Sequence, residues 1–246
     1  MTNLWEQTYR LRTGDFDSRR RLQPAAILDL FQDAAGEHAA SLGMGYDDMI
    51  RRGMLWVVLR VAFEQLGQPV LFDTVHVRTW PHPPGAVDFV RDYELLAQDG
   101  TPLVRGTSQW AVIGAEDRKL VASRRVDFPA AGVRDTHLFP DRLRALRPAA
   151  EGRLAQTLRS PVTDVDLNGH VNNARYANYV MDALRPAQPL RRFQLDYHHE
   201  VRPDTPLRLY TACDGGAMQC RGEDEAGTRM FTAEIVCAGE GENHGQ

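Results

Sequence analysis

The stretch TDVDLNGHVNNARYANY, residues 163–179, places a dense run of polar side chains directly before a helix-like segment. Asp166, Asn168 and His170 occupy alternate positions within it. In an extended segment alternate side chains lie on one face, so we expect a carboxylate, an amide and an imidazole to share a face. This combination of ionisable and polar groups indicates chemistry rather than simple solvent contact.

Two helices are predicted from apolar residues at helical spacing. The first covers residues 24–42, and Gly43 follows it as a suitable C-terminal cap. The second covers residues 172–184. Asparagine is a favoured N-cap residue, so we expect Asn172 or Asn173 to cap the second helix.

Segments rich in Val, Phe, Trp and Thr follow each helix, which is typical of strands. Asp99 and Gly100 provide a hairpin signal between the last two segments of the first half. The order of one helix and then antiparallel strands occurs twice, which predicts an α+β fold. The predicted strands are residues 55–63, 70–80, 87–97 and 102–113 in the first half, and residues 191–201, 206–213, 217–223 and 228–237 in the second.

A linker is predicted over residues 129–153, which hold three prolines and no clear strand period. We therefore expect an N-terminal unit at residues 1–128 and a C-terminal unit at residues 154–246. The Gly-rich polar end of the chain is expected to be frayed from about residue 239.

An internal repeat relates the two halves, because a shift of 149 residues places Asp17 on Asp166. The positions of Asn168 and His170 are arginines in the first half. A purely structural role would be expected in both copies. The asymmetry therefore favours a chemical role for the second copy.

Glu200 is the remaining candidate for this chemistry. It lies at the end of the predicted strand 191–201, beside a turn, where a carboxylate can reach a cleft. A shift of 131 residues places it on Pro69 in the first half. Taken alone it would be a solvated surface residue, and only its relation to His170 makes it a candidate.

Composition excludes several classes of function. The net charge of -4 provides no broad basic field for nucleic acid. No stretch approaches the roughly 20 apolar residues that span a bilayer, and the start lacks an apolar signal region, so we expect no membrane span. Cys213, Cys220 and Cys237 lack the paired spacing of a zinc site or disulfide framework, which indicates a reducing cytoplasm.

Three widespread catalytic and cofactor motifs are missing from the sequence. It contains no G-x-S-x-G elbow, no phosphate-binding loop and no dinucleotide fingerprint. His198 and His199 are expected to point to opposite sides of a strand, so they cannot chelate a metal together. We expect neither a cofactor nor a metal.

The motif D-x-N-x-H-V-N-N-x-x-Y, here Asp166 to Tyr176, resembles the hallmark of the acyl-acyl-carrier-protein thioesterases. These enzymes end fatty-acid synthesis in plant plastids and have shorter bacterial relatives. Further similar pieces, in the family's order, are LWVVLR, VRTWP, RDYEL and GTSQWAVI. Plant members usually have Glu-Cys where this chain has Glu200 and Val201, so the resemblance offers no thiol nucleophile here.

The resemblance implies two tandem hot-dog units in one pseudo-dimeric chain, each a long helix wrapped by an antiparallel sheet. It implies an N-terminal unit that holds the acyl chain and a C-terminal unit that carries the catalytic residues. Its substrate would be an acyl chain on the phosphopantetheine of acyl carrier protein. Association into a homodimer stays open.

Thioester hydrolysis requires an activated water and donors for the developing oxyanion. We expect Glu200 to act as general base on water, with direct nucleophilic attack as the alternative. Asn168 and His170 would orient the water and the carbonyl, and Asp166 would fix their side chains. A backbone N–H near Asn172 would complete the oxyanion hole.

The expected acyl-chain contacts in the first unit are Phe31, Met54, Trp56 and Trp110, and Asn172 is a further expected substrate contact. Ordinary core packing is an equally good interpretation of each apolar side chain.

Three alternatives remain at this point. The same residues are compatible with an acyl-CoA or other acyl-thioester hydrolase. Hot-dog dehydratases and hydratases also combine His with a carboxylate. A protein that binds acyl thioesters without turnover is the third interpretation, against which the intact set of polar residues argues.

Overall fold

A computed structural model describes residues 3–149 and 151–239. The chain forms two compact units. Unit 1 comprises the residues up to Leu22 together with Ile27–Leu143, and unit 2 comprises Gln23–Ala26 with the residues from Arg144 onward. The change from unit 1 to unit 2 at residue 144 lies within the segment 129–153. The predicted frayed tail falls outside the described residues, apart from its first position.

Unit 1 contains a five-stranded antiparallel sheet in the order β1-β3-β4-β5-β2, with most of helix α1 and the short helix α2. The prediction of the first helix is confirmed, and it ends where Gly43 adopts a left-handed φ of 68°. The elements are β1 (Trp5–Arg10), α1 (Pro24–Ser41), α2 (Tyr46–Arg51), β2 (Met54–Gln65), β3 (Thr74–Pro81), β4 (Phe89–Ala97) and β5 (Pro102–Gly114).

The hairpin between β4 and β5 is confirmed. Gly100 has a φ of 87°, which a residue with a side chain rarely adopts. The Asp99 Oδ1 atom accepts the Thr101 N–H at 2.9 Å, which closes the turn locally. The predicted strand 70–80 is wrong at its beginning, because β3 starts at Thr74 and the apolar residues before it form an exposed loop.

Helix α1 packs on the sheet of unit 1 through an aromatic contact. The rings of Phe31 and Tyr93 are stacked with centroids 4.5 Å apart. Gly106 lies beneath the Phe31 ring, and a Cβ atom at position 106 would lie 2.3 Å from Phe31 Cε2. The helix can approach the sheet this closely because position 106 has no side chain.

Replacing Gly106 by alanine is therefore expected to lower the free energy of unfolding by about 1–3 kcal/mol, because the packed core must shift to admit the methyl group. Gly36→Ala is the matched control in α1, since a Cβ there meets nothing within 4 Å. It is expected to stabilise the protein by about 0.5–1 kcal/mol. Denaturant titration measures both, and equal effects of the two variants would contradict this packing.

Unit 2 contains a second five-stranded antiparallel sheet, in the order β7-β10-β9-β8-β6, and helix α3. The rings of Tyr176 in α3 and Phe231 in β10 meet edge to face at 5.4 Å. The elements are β6 (Arg153–Arg159), α3 (Arg175–Leu184), β7 (Leu190–Tyr197), β8 (Pro206–Asp214), β9 (Ala217–Glu223) and β10 (Arg229–Cys237).

The start of α3 differs from the predicted one. Its N-cap is Ala174, which has no capping side chain. Asn172 instead closes a turn ahead of the helix: its Oδ1 accepts the Ala174 N–H and its carbonyl accepts the Arg175 N–H, both at 2.9 Å. The expectation that Asn172 or Asn173 caps the helix is therefore wrong, because this turn uses the asparagine first.

Two buried carboxylates accept hydrogen bonds from backbone N–H groups of the irregular segment that leads from unit 1 into unit 2. In unit 1, Asp92 Oδ2 accepts the Leu138 N–H at 2.8 Å. In unit 2, Asp196 Oδ2 accepts the Leu146 N–H at 2.8 Å. Both aspartates are only 1% exposed, so this irregular segment is fastened to the surface of each sheet by groups that are costly to leave unpaired.

Candidate active site

The motif of residues 165–171 forms a closed turn rather than an extended segment. Val165 and Val171 form an isolated antiparallel bridge, and the Asp166 N–H donates to the His170 carbonyl at 3.0 Å. Gly169 permits the reversal with a φ of 78°. The expectation that alternate side chains share one face of an extended segment is wrong for this reason.

The Asp166 carboxylate stabilises the turn from inside. Its Oδ1 accepts the Asn168 N–H at 2.8 Å, and its Oδ2 accepts a hydrogen bond from Asn172 Nδ2 at 3.3 Å. We expected this carboxylate to fix the side chains of Asn168 and His170. In the described residues it binds the Asn168 backbone and the Asn172 side chain instead.

Unit 1 contains the same turn. Asp17 Oδ1 accepts the Arg19 N–H at 2.8 Å, the Asp17 N–H donates to the Arg21 carbonyl at 2.9 Å, and Arg20 has a φ of 60° at the position equivalent to Gly169. The aspartate is therefore a structural residue of the turn in both units. The turns differ chemically where Arg19 and Arg21 replace an asparagine and a histidine.

The Asp17 carboxylate also accepts the Arg21 Nε–H at 2.7 Å. Partial burial, the largest single effect, raises the pKa of Asp17, but the hydrogen bonds from Arg21 and Arg19 and the charge of Arg21 together lower it below its ordinary value of 3.8. An arginine thus occupies the inner side of this turn in unit 1.

His170 and Glu200 face each other in unit 2. His170 Nε2 lies 3.9 Å from Glu200 Oε1, and the two side chains are 20% and 36% exposed. Their chain segments are joined directly, because the Val171 N–H donates to the Val201 carbonyl at 2.7 Å. The structure therefore brings together an imidazole and a carboxylate that are 30 positions apart in sequence.

The orientation of the His170 ring follows from its other nitrogen. Nδ1 lies 3.3 Å from the Val171 carbonyl oxygen, which can only accept a hydrogen bond, so Nδ1 carries the hydrogen. In the neutral ring Nε2 is then an acceptor that faces the Glu200 carboxylate, which also only accepts. A separation of 3.9 Å is too long for a direct hydrogen bond, and a water molecule can donate one hydrogen to each group.

Three tyrosine hydroxyls hold the surrounding segments, two through backbone groups and one through a side chain. Tyr176, which is 2% exposed, accepts the Val201 N–H on its hydroxyl oxygen at 3.1 Å. Tyr197 donates its hydroxyl to the Asn173 carbonyl at 2.8 Å, and Tyr179 donates to Asp164 Oδ2 at 2.7 Å. Burial raises the pKa of Tyr176 well above its ordinary value, so the hydroxyl stays neutral.

This use of the tyrosines was not predicted from the sequence. Tyr176 and Tyr179 lie in the predicted helix 172–184, and Tyr197 lies in the predicted strand 191–201. Alternation within a strand or helix shows which face a tyrosine occupies, but its hydroxyl partner depends on which distant backbone group lies nearby.

Replacing Tyr176 by phenylalanine is expected to leave the buried Val201 N–H without an acceptor and to lower the free energy of unfolding by about 1–3 kcal/mol. Tyr46, which is 46% exposed, offers the control, Tyr46→Phe, for which we expect no change. Denaturant titration of both variants measures the difference. If Tyr176→Phe were as stable as the parent protein, the hydroxyl would have no role in holding the segment after Glu200.

The other expected donors differ in availability. Asn168 is exposed on the outside of the turn. The Asn172 N–H already donates to the Asp164 carbonyl at 2.8 Å. The Asn173 N–H has no hydrogen-bond partner among the described residues, so it is a backbone donor that remains available for an oxyanion.

The position of Glu200 in the repeat needs a correction of one residue. In unit 1 the Leu66 and Gly67 N–H groups donate to one carbonyl, that of Leu103, and in unit 2 the N–H groups of His198 and His199 do the same to Met230. These bonds relate the loops by 132 residues, so the counterpart of Glu200 is Gln68 rather than Pro69. Strand β7 ends at Tyr197, so Glu200 lies in the loop beyond it.

Three of the four apolar candidates in unit 1 share one cluster. Met54, Trp56 and Trp110 are partly buried against it, and Trp56 Nε1 donates to the Met44 carbonyl at 3.0 Å. Phe31 lies apart from it in the contact with Tyr93 described above. The buried members of the cluster are Leu42, Met44, Met49, Phe89, Val112, Val121 and Val126.

Among residues 3–149 and 151–239, no group of three or more His, Cys, Asp or Glu side chains is placed to hold a metal ion. Within the same residues, no helix combines the length and the apolar character needed to cross a membrane.

The fold is that of the tandem hot-dog proteins, as predicted. An acyl-ACP thioesterase structure from Bacteroides thetaiotaomicron superimposes with a TM-score of 0.86 and 20% identity, covering 96% of this chain and 98% of that one. The 12:0-ACP thioesterase from Umbellularia californica superimposes with a TM-score of 0.79 and 24% identity, covering 98% and 99% of the two chains.

The chain belongs to the acyl-ACP thioesterase family: the N-terminal domain of that family matches residues 2–125 and the C-terminal domain matches residues 149–243. An acyl-[acyl-carrier-protein] hydrolase of Cuphea viscosissima is 26% identical over 226 residues, 85% of this chain and 55% of the relative. The palmitoyl-acyl carrier protein thioesterase of Arabidopsis thaliana is 26% identical over 245 residues, 90% of this chain and 59% of the relative. The chain thus spans somewhat over half the length of these relatives.

Proposed function

We propose that this chain hydrolyses the thioester of fatty acyl-acyl-carrier protein and releases the free fatty acid, which ends fatty-acid synthesis. Family membership and the names of the relatives support the reaction. The observation that carries the proposal is the His170 and Glu200 pair: Nε2 and Oε1 lie 3.9 Å apart, so one water molecule beside them can hydrogen-bond to both.

In the proposed mechanism Glu200 is the general base. A water hydrogen-bonded to both Glu200 and His170 Nε2 loses a proton to the carboxylate while its oxygen bonds to the thioester carbon. The carbonyl electrons move to oxygen, where the Asn168 amide and the Asn173 N–H are the proposed donors. When the carbonyl re-forms, the carbon–sulfur bond breaks, and the thiolate, whose conjugate thiol has an ordinary pKa near 8.5, leaves with little need for an acid.

We assign Asp166 to positioning, because its contacts order the turn rather than reach outward. The roles of the two halves follow the family resemblance: residues 1–128 bind the acyl chain, residues 129–153 link the units, and residues 154–246 carry the reaction. The apolar cluster contacted by Met54, Trp56 and Trp110 is the proposed acyl-binding region, with Phe31 supporting the helix above the sheet. Asn172 is proposed as a support for the site, since both ends of its side chain are engaged.

The proposed partner is acyl carrier protein, and a homodimer of the pseudo-dimeric chain is the proposed assembly. We propose a cytoplasmic enzyme without a cofactor. The free thiols of Cys213, Cys220 and Cys237 support a reducing compartment.

Release of free thiol from acyl-carrier-protein and acyl-CoA thioesters of graded chain length tests the function, with the acid products identified by mass spectrometry. Faster release of free acid from the carrier-protein substrates is the expected result. Release from acyl-CoA alone would make the chain an acyl-CoA hydrolase. An enoyl product from a 3-hydroxyacyl thioester would indicate a dehydratase, and binding without turnover would indicate a binding protein.

A further inference from the structure

A loop in unit 1 exposes three large apolar side chains. In residues 66–73, Leu66, Val70 and Phe72 are 44%, 66% and 51% exposed. Phe72 also has a φ of 71°, a left-handed conformation that is a genuine outlier for a bulky aromatic residue. The loop therefore combines exposed apolar side chains with a strained backbone at Phe72. Backbone strain of this kind concentrates at functional positions.

The equivalent loop of unit 2 is an internal control. The Leu11 N–H donates to the Asp73 carbonyl at 2.9 Å in unit 1, and the Ser160 N–H donates to the Thr205 carbonyl at 3.0 Å in unit 2. Both loops have the same backbone course, including a left-handed residue before the strand, which in unit 2 is Asp204 with a φ of 60°. Aspartate tolerates this conformation far better than phenylalanine does.

The positions of the three exposed apolar residues are polar in unit 2. The 132-residue relation places His198, Arg202 and Asp204 where unit 1 has Leu66, Val70 and Phe72. Formation of the loop therefore does not require apolar side chains at these positions. Their presence in unit 1 needs a different explanation, and an exposed apolar group of this kind marks an interaction surface.

Arginines surround the exposed apolar residues. The Arg10 guanidinium lies 5.6 Å from the centre of the Phe72 ring. Gln68 Nε2 donates to the Arg20 carbonyl at 3.3 Å, which brings the turn that carries exposed Arg19 and Arg20 against the loop. An apolar centre with an arginine rim is the usual anatomy of a protein interface.

The aspartates of the same region are engaged locally. Asp17 is paired with Arg21, and Asp15 with Arg12 at 3.3 Å. Asp73 Oδ2 accepts the Val70 N–H at 2.7 Å. Arg10, Arg19 and Arg20 thus outnumber Asp73, the aspartate here that is held by a backbone N–H rather than by an arginine, and the charge of these groups is positive although the chain as a whole has a net charge of -4.

We propose that the surface formed by Leu66, Val70, Phe72, Arg10, Arg19 and Arg20, the arginine-rimmed patch, docks an acidic face of the acyl carrier protein. This rests on the proposed function, which requires such a partner. A second copy of the chain fits less well, because a two-fold contact through this patch would bring the arginine rims together. A bilayer also fits less well, since three apolar side chains offer little to insert and aspartates lie among the arginines.

The substitution Phe72→Asn tests the docking. Asparagine favours the left-handed conformation, so the variant is expected to be at least as stable as the parent protein. We expect KM for an acyl-carrier-protein thioester to rise about 10-fold, with KM for the same acyl group on CoA unchanged, because only the protein carrier contacts the patch. Combining it with Arg20→Asn is expected to raise the carrier-protein KM further and to weaken its dependence on salt.

Leu120→Gln is the matched control, an exposed apolar residue of unit 1 outside the patch, and it should change neither KM. If the ratio of the carrier-protein KM to the CoA KM were the same in Phe72→Asn as in the parent protein, the docking proposal would be overturned. A loss of dimer in sedimentation, or a loss of binding to anionic phospholipid vesicles, with that ratio unchanged would assign the patch to a second copy or to a membrane.

The proposed function can fail separately from the docking. If the parent protein hydrolyses neither substrate, titration of unacylated holo-acyl carrier protein against the parent and Phe72→Asn still tests the patch. Weaker binding by the variant supports docking, and equal binding or no binding by the parent overturns it.

Discussion

Replacing Glu200 by glutamine is expected to lower kcat for thioester hydrolysis about 10²- to 10⁴-fold, the range that a positioned general base contributes. The amide keeps the size of the side chain but cannot take the proton from water. Glu200 is 36% exposed, so the change should leave stability almost unaffected. Thiol release at saturating substrate, together with denaturant titration, measures both quantities.

Glu225→Gln provides the control for removal of one exposed carboxylate in unit 2, and it should hydrolyse substrate at the parent rate. Unit 1 already carries an amide, Gln68, at the position equivalent to Glu200, which agrees with a single active site in unit 2. Turnover by Glu200→Gln within threefold of the parent rate would remove Glu200 from the mechanism.

The second large effect is expected for Asp166→Ala, because it removes the carboxylate that orders the turn carrying Asn168 and His170. Hydrolysis should slow about 10²-fold, since a displacement near 1 Å in a catalytic site has a cost of that order. Loss of the hydrogen bonds that close the turn should also lower the free energy of unfolding by about 1 kcal/mol. The reaction rate and the unfolding free energy are measured on the same preparation.

The chain supplies the matched variant, Asp17→Ala, in the equivalent turn of unit 1. It should lose at least as much stability, because the contact with Arg21 is lost too, while kcat at saturating substrate stays within twofold of the parent value. Any displacement of Arg19 and Arg20 in this turn acts on KM for the carrier-protein substrate and not on kcat. Equal losses of activity in both variants would mean that Asp166 acts only through global stability.

The contribution of the Asp17 carboxylate to the free energy of unfolding is expected to depend on pH. Its folded-state pKa lies below the ordinary value of 3.8, so its stabilising contribution is complete above that pH and is lost as pH falls through the folded pKa. Asp17→Ala should therefore be destabilised relative to the parent at pH 7, and the gap should narrow at low pH. A gap that stays constant to pH 2 would contradict the assigned pKa direction.

The regular elements with an internal apolar pattern could be predicted from sequence. Helix α1, the β4–β5 hairpin and strand β9 were identified from periodicity and turn residues alone. The edge strands β1 and β6 were not, because their outward positions are polar and exposed, as in WEQTYR and RLAQTLR. An edge strand has only one neighbour and needs little apolar surface.

The candidate site was predictable in composition but not in geometry. The residue types of the motif indicated a chemical role, the family resemblance implied thioester hydrolysis, and the repeat showed that only one half carries these residues. The closed turn depends on a left-handed Gly169 and a carboxylate directed inward, which alternation within a strand does not reveal. The equivalence of Gln68 and Glu200 in the repeat was found from hydrogen bonds at the loop ends. Sequence identity alone gave a shift of 131 residues, which is one residue out of register.

The most direct test of the account is a single turnover of an acyl-carrier-protein thioester with excess protein in H₂¹⁸O, followed by mass spectrometry of the fatty acid. If Glu200 activates water for attack on the thioester, the released acid carries one ¹⁸O atom. Unlabelled acid in the first turnover would mean that the oxygen came from the Glu200 carboxylate as a nucleophile, and no released acid would contradict hydrolysis itself.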